Sequence, residues 1–338
     1  MTAPDIFLTG ATGYIGGTVL DTLVRERPDY NITAMFRKVP DEFRQKYPKV
    51  KIVTGDYDDF ETVANAAANA NIVVHGGKSK HEGVIKAHIA GLLRRNKPSF
   101  FIRLGGTGII ADWKDGNYGE LNSKIWSDID DVATLTSMPD WALHRGVEKI
   151  IQEAAETYGN KLKCAIICSS GIYGKGRGLV RTQSLYMPDF FREIIELGAA
   201  FYTGSGSNRR SWVHIEDLMQ IYLSLVDAAA AGGGKAVWGK EGYYFTVTQE
   251  TSQLELAIAA GKILKAHGLI ETEKPKRVSI DQIRNMCSSS GWAFDGLYTF
   301  ASNTRAKSDR AQKYLDYVPK QPTVFECMEE DLLSCLQS

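Results

Sequence analysis

The chain reads as an α/β protein built on a doubly wound parallel sheet, with a smaller C-terminal α+β domain for a substrate. Three observations predict this. Short apolar runs alternate with helical patterns through the first half, a glycine triplet follows the first run, and the alternation loosens after Gly171, where glycine and aromatic residues become enriched. Strand–helix alternation places helices on both faces of a parallel sheet.

In order, the strand-like runs are "DIFLTG", "NITAMFR", "VKIVTGD", "NIVVHGG", "FFIRLGG" and "LKCAIICSSG". Between them "GGTVLDTLVRE", "FETVANAAANA", "HEGVIKAHIAGLLRRN" and "HRGVEKIIQEAAETYG" carry apolar residues at three- and four-residue spacing, the helical period. "PDWALHRGVEKI" reads as a helix start, with Asp140 at a capping position and His144 one turn in. "AAAAGGGK" (Ala228 to Lys235) is the clearest linker.

At 338 residues and 43% hydrophobic content the chain can bury a large core. Forty basic residues balance forty acidic ones, so charge favours neither nucleic acid nor an anionic membrane, and a small-molecule partner is expected. The cysteines Cys164, Cys168, Cys287, Cys327 and Cys335 lack paired metal spacings and read as free thiols. No metal set forms among the histidines. A strand begins almost at once and no apolar run is long enough to span a bilayer, so a cytoplasmic protein is expected.

In "TGATGYIGG", Gly10 permits a tight turn, Gly13 lets backbone approach a diphosphate, and Gly16 allows close helix–strand packing. With Thr12, Tyr14 and Ile15 this segment forms a dinucleotide site, the anion resting at a helix N-terminus. An NAD-binding protein offers an acidic group about twenty residues further on, at the end of the second strand. Here that strand ends "MFRK". Arg37 and Lys38, with no nearby carboxylate evident, predict a ribose 2′-phosphate and hence NADP(H). Asp56 and Tyr57 in "TGDYDD" stand where the adenosine belongs, although Asp56 can equally cap the next helix.

"TGATGYIGG", "TGDYDD", "SSGIYGKGRG", "RSWVHIEDL" and "SNTRAKSDRAQKYL" together resemble the extended short-chain dehydrogenase/reductase superfamily, in its NAD-dependent epimerase/dehydratase-like group, over nearly the whole chain. The resemblance implies a Rossmann-type domain of residues 1–171 with 208–232, a substrate domain of 172–207 with 233–338, and a cleft between them. It also implies that Ser170 and Ile172 lie beside the nicotinamide and that His75 and Gly76 shape the turn where the fourth strand passes the cofactor. Members of this group generally use a Tyr-x-x-x-Lys pair. Aligning "VEKII" puts Asp140 at the tyrosine position and His144 at the lysine position, so the spacing survives with different chemistry. The serine expected after the fifth strand is also missing, and Thr107 is the nearest hydroxyl.

Histidine titrates near neutrality, so His144 either donates the proton that accompanies a hydride, with Asp140 bonding its ring, or only holds the nicotinamide ribose. In the second case Tyr118 and Tyr173 are the candidate acids. His81 and His88 are expected at the surface and His214 packed between domains. Arg209, Arg210 and Arg305 lie where sugar-nucleotide members grip a diphosphate, though ion pairs are their expected role. Tyr186, Trp238, Tyr243, Tyr244, Trp292 and Phe294 crowd loop-rich segments; most are expected in the core, and some are candidates for an apolar pocket. The reading is an NADPH-dependent reductase of a small, apolar or aromatic carbonyl or imine. The alternatives are a nucleotide-sugar epimerase or dehydratase, and a non-catalytic NADP(H)-binding sensor or scaffold. The helices from His81 and Asp140 are candidates for a homodimer interface.

Overall fold

The computed structural model describes residues 3–287 and 296–337. The first half runs β1 (Asp5–Thr9), α1 (Tyr14–Glu26), β2 (Asn31–Phe36), a single turn α2 (Phe43–Lys46), β3 (Lys51–Thr54), α3 (Phe60–Ala68), β4 (Ile72–His75), α4 (Glu82–Leu93) and β5 (Ser99–Gly106). After a loop holding the short β6 (Trp126–Ser127) and α5 (Val132–Leu135) come α6 (Arg145–Tyr158) and β7 (Leu162–Ser169). Then follow β8 (Gly171–Tyr173), α7 (Tyr186–Leu197), β9 (Phe201–Tyr202), β10 (Arg209–His214), α8 (Ile215–Ala230), β11 (Tyr243–Thr246), β12 (Gln249–Ser252) and α9 (Gln253–Ala266).

Seven strands form one sheet in the order β11-β7-β5-β4-β1-β2-β3, and every pairing is parallel. Alternation along the strands sends side chains to opposite faces. Ile6, Leu8, Ile72 and Val74 pack under α1 and α8, while Phe7, Val73 and Phe101 pack under α3, α4 and α6. Burying each such side chain contributes roughly 1.5–3 kcal/mol, so the two apolar faces hold the layers together. The strand order reverses between β1 and β4, which opens a crevice at their carboxyl ends. A third cluster, with Tyr173, Phe190, Phe201, Trp212, Leu256 and Phe300, is the core of the second lobe.

The structure alters two expectations. β11 is the seventh sheet strand, in register with β7 from Tyr243↔Ile166 to Thr246↔Ser169, so the dinucleotide-binding unit reclaims a segment beyond residue 232. Helix α6 begins at Arg145, not at Asp140: His144 is its N-cap in the left-handed region (φ 71°), which no helix interior tolerates. Among the described residues, no helix is long and apolar enough to cross a membrane.

Candidate active site

The turn from β1 to α1 is shaped by what a side chain would strike. Gly10 has φ +91°, and a Cβ there would lie 2.6 Å from the backbone of Gly76 and Gly77; one on Gly16 would lie 2.3 Å from the Gly10 carbonyl oxygen. The Gly13 N–H donates to that same oxygen at 2.9 Å. Gly13 caps α1 without a side-chain bond, and the first turn holds no acidic residue, so helix amides and their dipole face open space. Gly10, Thr12, Gly13, Tyr14 and Ile15 line a cleft of about 730 Å³. This cradle fits the diphosphate of a dinucleotide.

Met35, Phe36, Arg37, Gly55, Asp56 and Tyr57 line the end of the cleft beyond β2 and β3. The Arg37 side chain is 77% exposed and its Nε lies 3.8 Å from Asp56, so a carboxylate does stand beside it, contrary to the sequence expectation. Lys38 is exposed and is not among the residues lining the cleft. Asp56 accepts the Asp58 N–H at 3.2 Å; the cap of α3 is instead Asp59. Burial pushes the Tyr57 hydroxyl up to about 12. Gly76 lines the cleft, but the His75 ring turns inward, where Nδ1 meets Thr9 Oγ1 at 2.7 Å.

At the far end of β5, the cleft is floored by Leu104, Gly105 and Gly106 and bounded by Thr107, His144, Ser169, Ser170, Gly171 and Ile172. A Cβ on Gly106 would lie 2.9 Å from His144 Nε2. The imidazole thus fills the space a side chain at 106 would need. Burial, and then the positive charges of Arg103 and Lys80, push His144 down to about 3, so the ring is neutral at physiological pH.

Beneath this corner runs a buried polar chain. Arg103 Nη1 lies 3.4 Å from Glu148 Oε1 with both side chains wholly buried. The Tyr243 hydroxyl donates to Glu148 Oε2 at 3.0 Å, Gln152 Nε2 donates to Tyr243 at 2.6 Å, and Arg145 Nη1 donates to Gln152 Oε1 at 2.7 Å. Arg103 also donates to the Ser79 carbonyl, tying the floor to the loop after β4. A buried network of this kind is costly to break, so it fixes the corner's backbone.

Thr107 and His144 are therefore brought together, and three other proposed catalytic residues are not. Asp140 is 80% exposed and pairs with Lys149 at 2.7 Å, which holds its carboxyl below the usual range. Tyr173 is buried, its hydroxyl donating to the Pro322 carbonyl at 2.8 Å in the second lobe. Tyr118 packs against the second lobe's core and does not line the cleft. Both tyrosines sit on segments that lead toward the cleft in sequence but turn into the apolar cluster in space.

Of the other residues singled out in the sequence, some stand where expected and some do not. His81 caps α4, accepting the Val84 N–H, and lines the cleft, while His88 is wholly buried against Thr9 rather than at the surface. His214 caps α8 and stacks edge-on against Tyr173. Arg305 grips Glu250 through two bonds and Arg209 pairs with Glu250 and Glu255, but Arg210 lines the cleft between the rings of Tyr186 and Tyr298. Of the proposed pocket aromatics, Tyr186 lines the cleft; Trp238 packs on Phe100, Tyr243 and Tyr244 are core, and Trp292 and Phe294 lie outside the described residues. Arg103, Glu148 and Arg181 carry no motif that marks them in the sequence. An arginine inside the otherwise apolar run "FFIRLGG" was the available signal for the first.

Two families match the chain: NAD(P)H-binding over residues 10–131 and the NAD-dependent epimerase/dehydratase family over residues 142–238. "Oxidase ucsJ" of Acremonium sp is 30% identical, covering 96% of this chain and 95% of its own length. A dTDP-glucose 4,6-dehydratase of Mycobacterium tuberculosis is 23% identical over 67% of this chain and 70% of its own. Among solved structures, the UDP-glucose 4-epimerase of Thermotoga maritima with UDP-glucose has a TM-score of 0.64 at 14% identity, covering 98% of this chain and 99% of that one. The dTDP-glucose 4,6-dehydratase of Bacillus anthracis, in complex with NAD, also has a TM-score of 0.64, at 13% identity over 99% and 97% of the two chains. At such identity the structural likeness speaks for the fold.

Proposed function

Starting from the fact that this chain belongs to the NAD-dependent epimerase/dehydratase family, we propose that it is an NADP(H)-dependent reductase of a small, apolar or aromatic carbonyl or imine compound. The observation that carries this reading is the composition of the cleft between β5 and α7. A neutral His144 stands at the position of the family's lysine, Thr107 is the hydroxyl nearest the missing serine, and beyond them come Leu185, Tyr186 and Tyr298. The relative named an oxidase also supports a redox role.

A bound nicotinamide supplies or accepts the hydride. The glycine turn and the open amides of α1 would hold the diphosphate, Arg37 would pair with the 2′-phosphate, and Asp56 and Tyr57 would flank the adenosine. A neutral imidazole stores no proton to give away, but its ring N–H can polarise a substrate carbonyl by hydrogen bonding. His144 accordingly orients and polarises the acceptor oxygen, and the proton that completes the alcohol comes from water through the Thr107 hydroxyl.

Arg210 favours one other reading, a nucleotide-sugar substrate. It is a cleft cation with no carboxylate partner among the described residues, although its Nη2 is committed to the carbonyls of Tyr298 and Thr299. The experiment is to incubate the protein with NADPH and ketones, quinones and imines in one series, and with NAD+ or NADP+ and nucleotide sugars in another. Consumption of NADPH with the first series is expected. Conversion only of nucleotide sugars, or NADPH binding without any turnover, would replace the reductase reading with an epimerase/dehydratase or a binding protein.

A further inference from the structure

We propose that Arg181 is a further coenzyme-binding residue, held by a strap of residues 174–182 so that its guanidinium meets the dinucleotide diphosphate beside the glycine turn. The inference rests on the dinucleotide reading of the cleft.

The strap leaves β8 and crosses the start of α1 in direct backbone contact. A Cβ on Gly17 would lie 2.9 Å from Gly178 Cα, and one on Gly178 would lie 3.2 Å from Gly17 Cα, 3.4 Å from the Gly13 oxygen and 3.3 Å from the Arg181 oxygen. Two facing glycines permit this approach, which sets Arg181 next to the N-cap of α1. The strap closes on itself through the Gly176 N–H to the Thr182 oxygen at 2.7 Å.

Its two arginines have different fates. Arg177 is spent on anchoring: Nε reaches Asp21 at 2.7 Å, the same guanidinium pairs with Glu216, and its backbone N–H donates to Thr18 Oγ1 at 3.1 Å. Those contacts tie the strap to α1 and α8. Arg181, four residues on, lines the cleft with Gly13 and has no carboxylate partner among the described residues. The α1 turn beside it likewise offers no acidic residue to neutralise it. An anion bound there receives helix amides from one side and a guanidinium from the other, and charge-assisted bonds of that kind are the strong ones.

Three ligands separate the outcomes when titrated calorimetrically into the full chain: NADPH, ADP-ribose (a diphosphate without a 2′-phosphate) and 2′-AMP (a 2′-phosphate without a diphosphate). Arg181→Met is expected to weaken NADPH and ADP-ribose about tenfold while leaving 2′-AMP within twofold, and Arg181→Lys to recover part of the loss. Arg37→Ala should show the converse pattern. Wild-type affinity of Arg181→Met for ADP-ribose, or an equal loss for 2′-AMP, overturns the assignment. A wild-type protein that binds none of the three overturns the dinucleotide reading itself, and this inference with it.

Discussion

The two ends of the cleft are built by opposite means. At the β1–α1 turn the functional groups are backbone amides, and the side chains matter by being absent: Gly10 and Gly16 could not carry a Cβ without striking main-chain atoms at 2.6 and 2.3 Å. At the end of β5 the functional groups are side chains, and the backbone bends to suit them. His144 takes a left-handed φ of 71° so that its ring can occupy the space above Gly106. A backbone site tolerates almost any neighbouring sequence but no added carbon. A side-chain site can exchange its chemistry while its framework of strands stays the same, and here it is His144 and Thr107 that border the cleft at the end of β5.

The largest effect that tests this contrast is steric. Gly16→Ala places a methyl 2.3 Å from the Gly10 oxygen and 3.2 Å from the Gly76 oxygen, both main-chain atoms that cannot swing aside. A loss of roughly 3 kcal/mol or more in stability is expected, with no measurable NADPH binding. Gly13→Ala meets only the Gly10 oxygen, at 3.2 Å, so it should melt close to wild type yet lose cofactor affinity because its methyl faces the cleft. Thermal melts beside fluorescence titrations check both. Equal melting of the two variants would remove the steric account of the turn.

The same contrast explains what the sequence reveals. Six of the seven sheet strands and the glycine turn are legible because they are local: an apolar run, a helical period, glycines at fixed offsets. β11 was hidden inside a loop-like stretch, since "YYF" becomes a strand only by pairing with β7 across nearly eighty residues. His144 was singled out by its spacing, but neither its neutrality nor its partners were legible. These depend on Arg103 from β5 and Lys80 from the loop after β4. Tyr118 and Tyr173 stand away from this corner for the same reason, because packing in the second lobe, rather than position along the chain, decides where such side chains lie. Conversely, Asp140 reads as a cap because Pro-Asp is a good local start signal, and a left-handed residue four positions later moves that start.

At the histidine end the expected effects are smaller and chemical. His144→Ala should lower kcat/KM by about ten- to a hundredfold, the worth of a hydrogen bond in a dry site, with NADPH affinity changed less. With its pKa at about 3 the ring stays neutral between pH 5 and 8, so the wild-type rate should show no inflection near 6.5 over that range. A general acid of ordinary pKa would instead lose rate as pH rises through that value. Stability carries the opposite signature. The folded pKa lies below the unfolded one, so His144 costs stability progressively as pH falls below about 6.5, and His144→Ala should shrink that acid loss. His144→Gly should be about 1 kcal/mol more stable than His144→Ala, since glycine accepts the left-handed backbone.

The smallest expected effect lies at the adenosine end, where a side chain again decides but water shares the site. Arg37 is 77% exposed, and Asp56 at 3.8 Å already takes part of its charge, so the proposed pairing with a 2′-phosphate would be screened and partly competed. A preference for NADPH over NADH of only about tenfold is expected, the value of one modest charge-assisted contact. Arg37→Asp should erase or reverse it by placing a carboxylate against the phosphate. Asp56→Asn should widen it slightly, because the guanidinium is then released from its competitor. Tryptophan fluorescence titration with both cofactors distinguishes the cases. Equal wild-type affinity for NADPH and NADH would end the assignment of Arg37 to the 2′-phosphate. A preference that survives Arg37→Asp would move the selecting charge to another residue of the cleft.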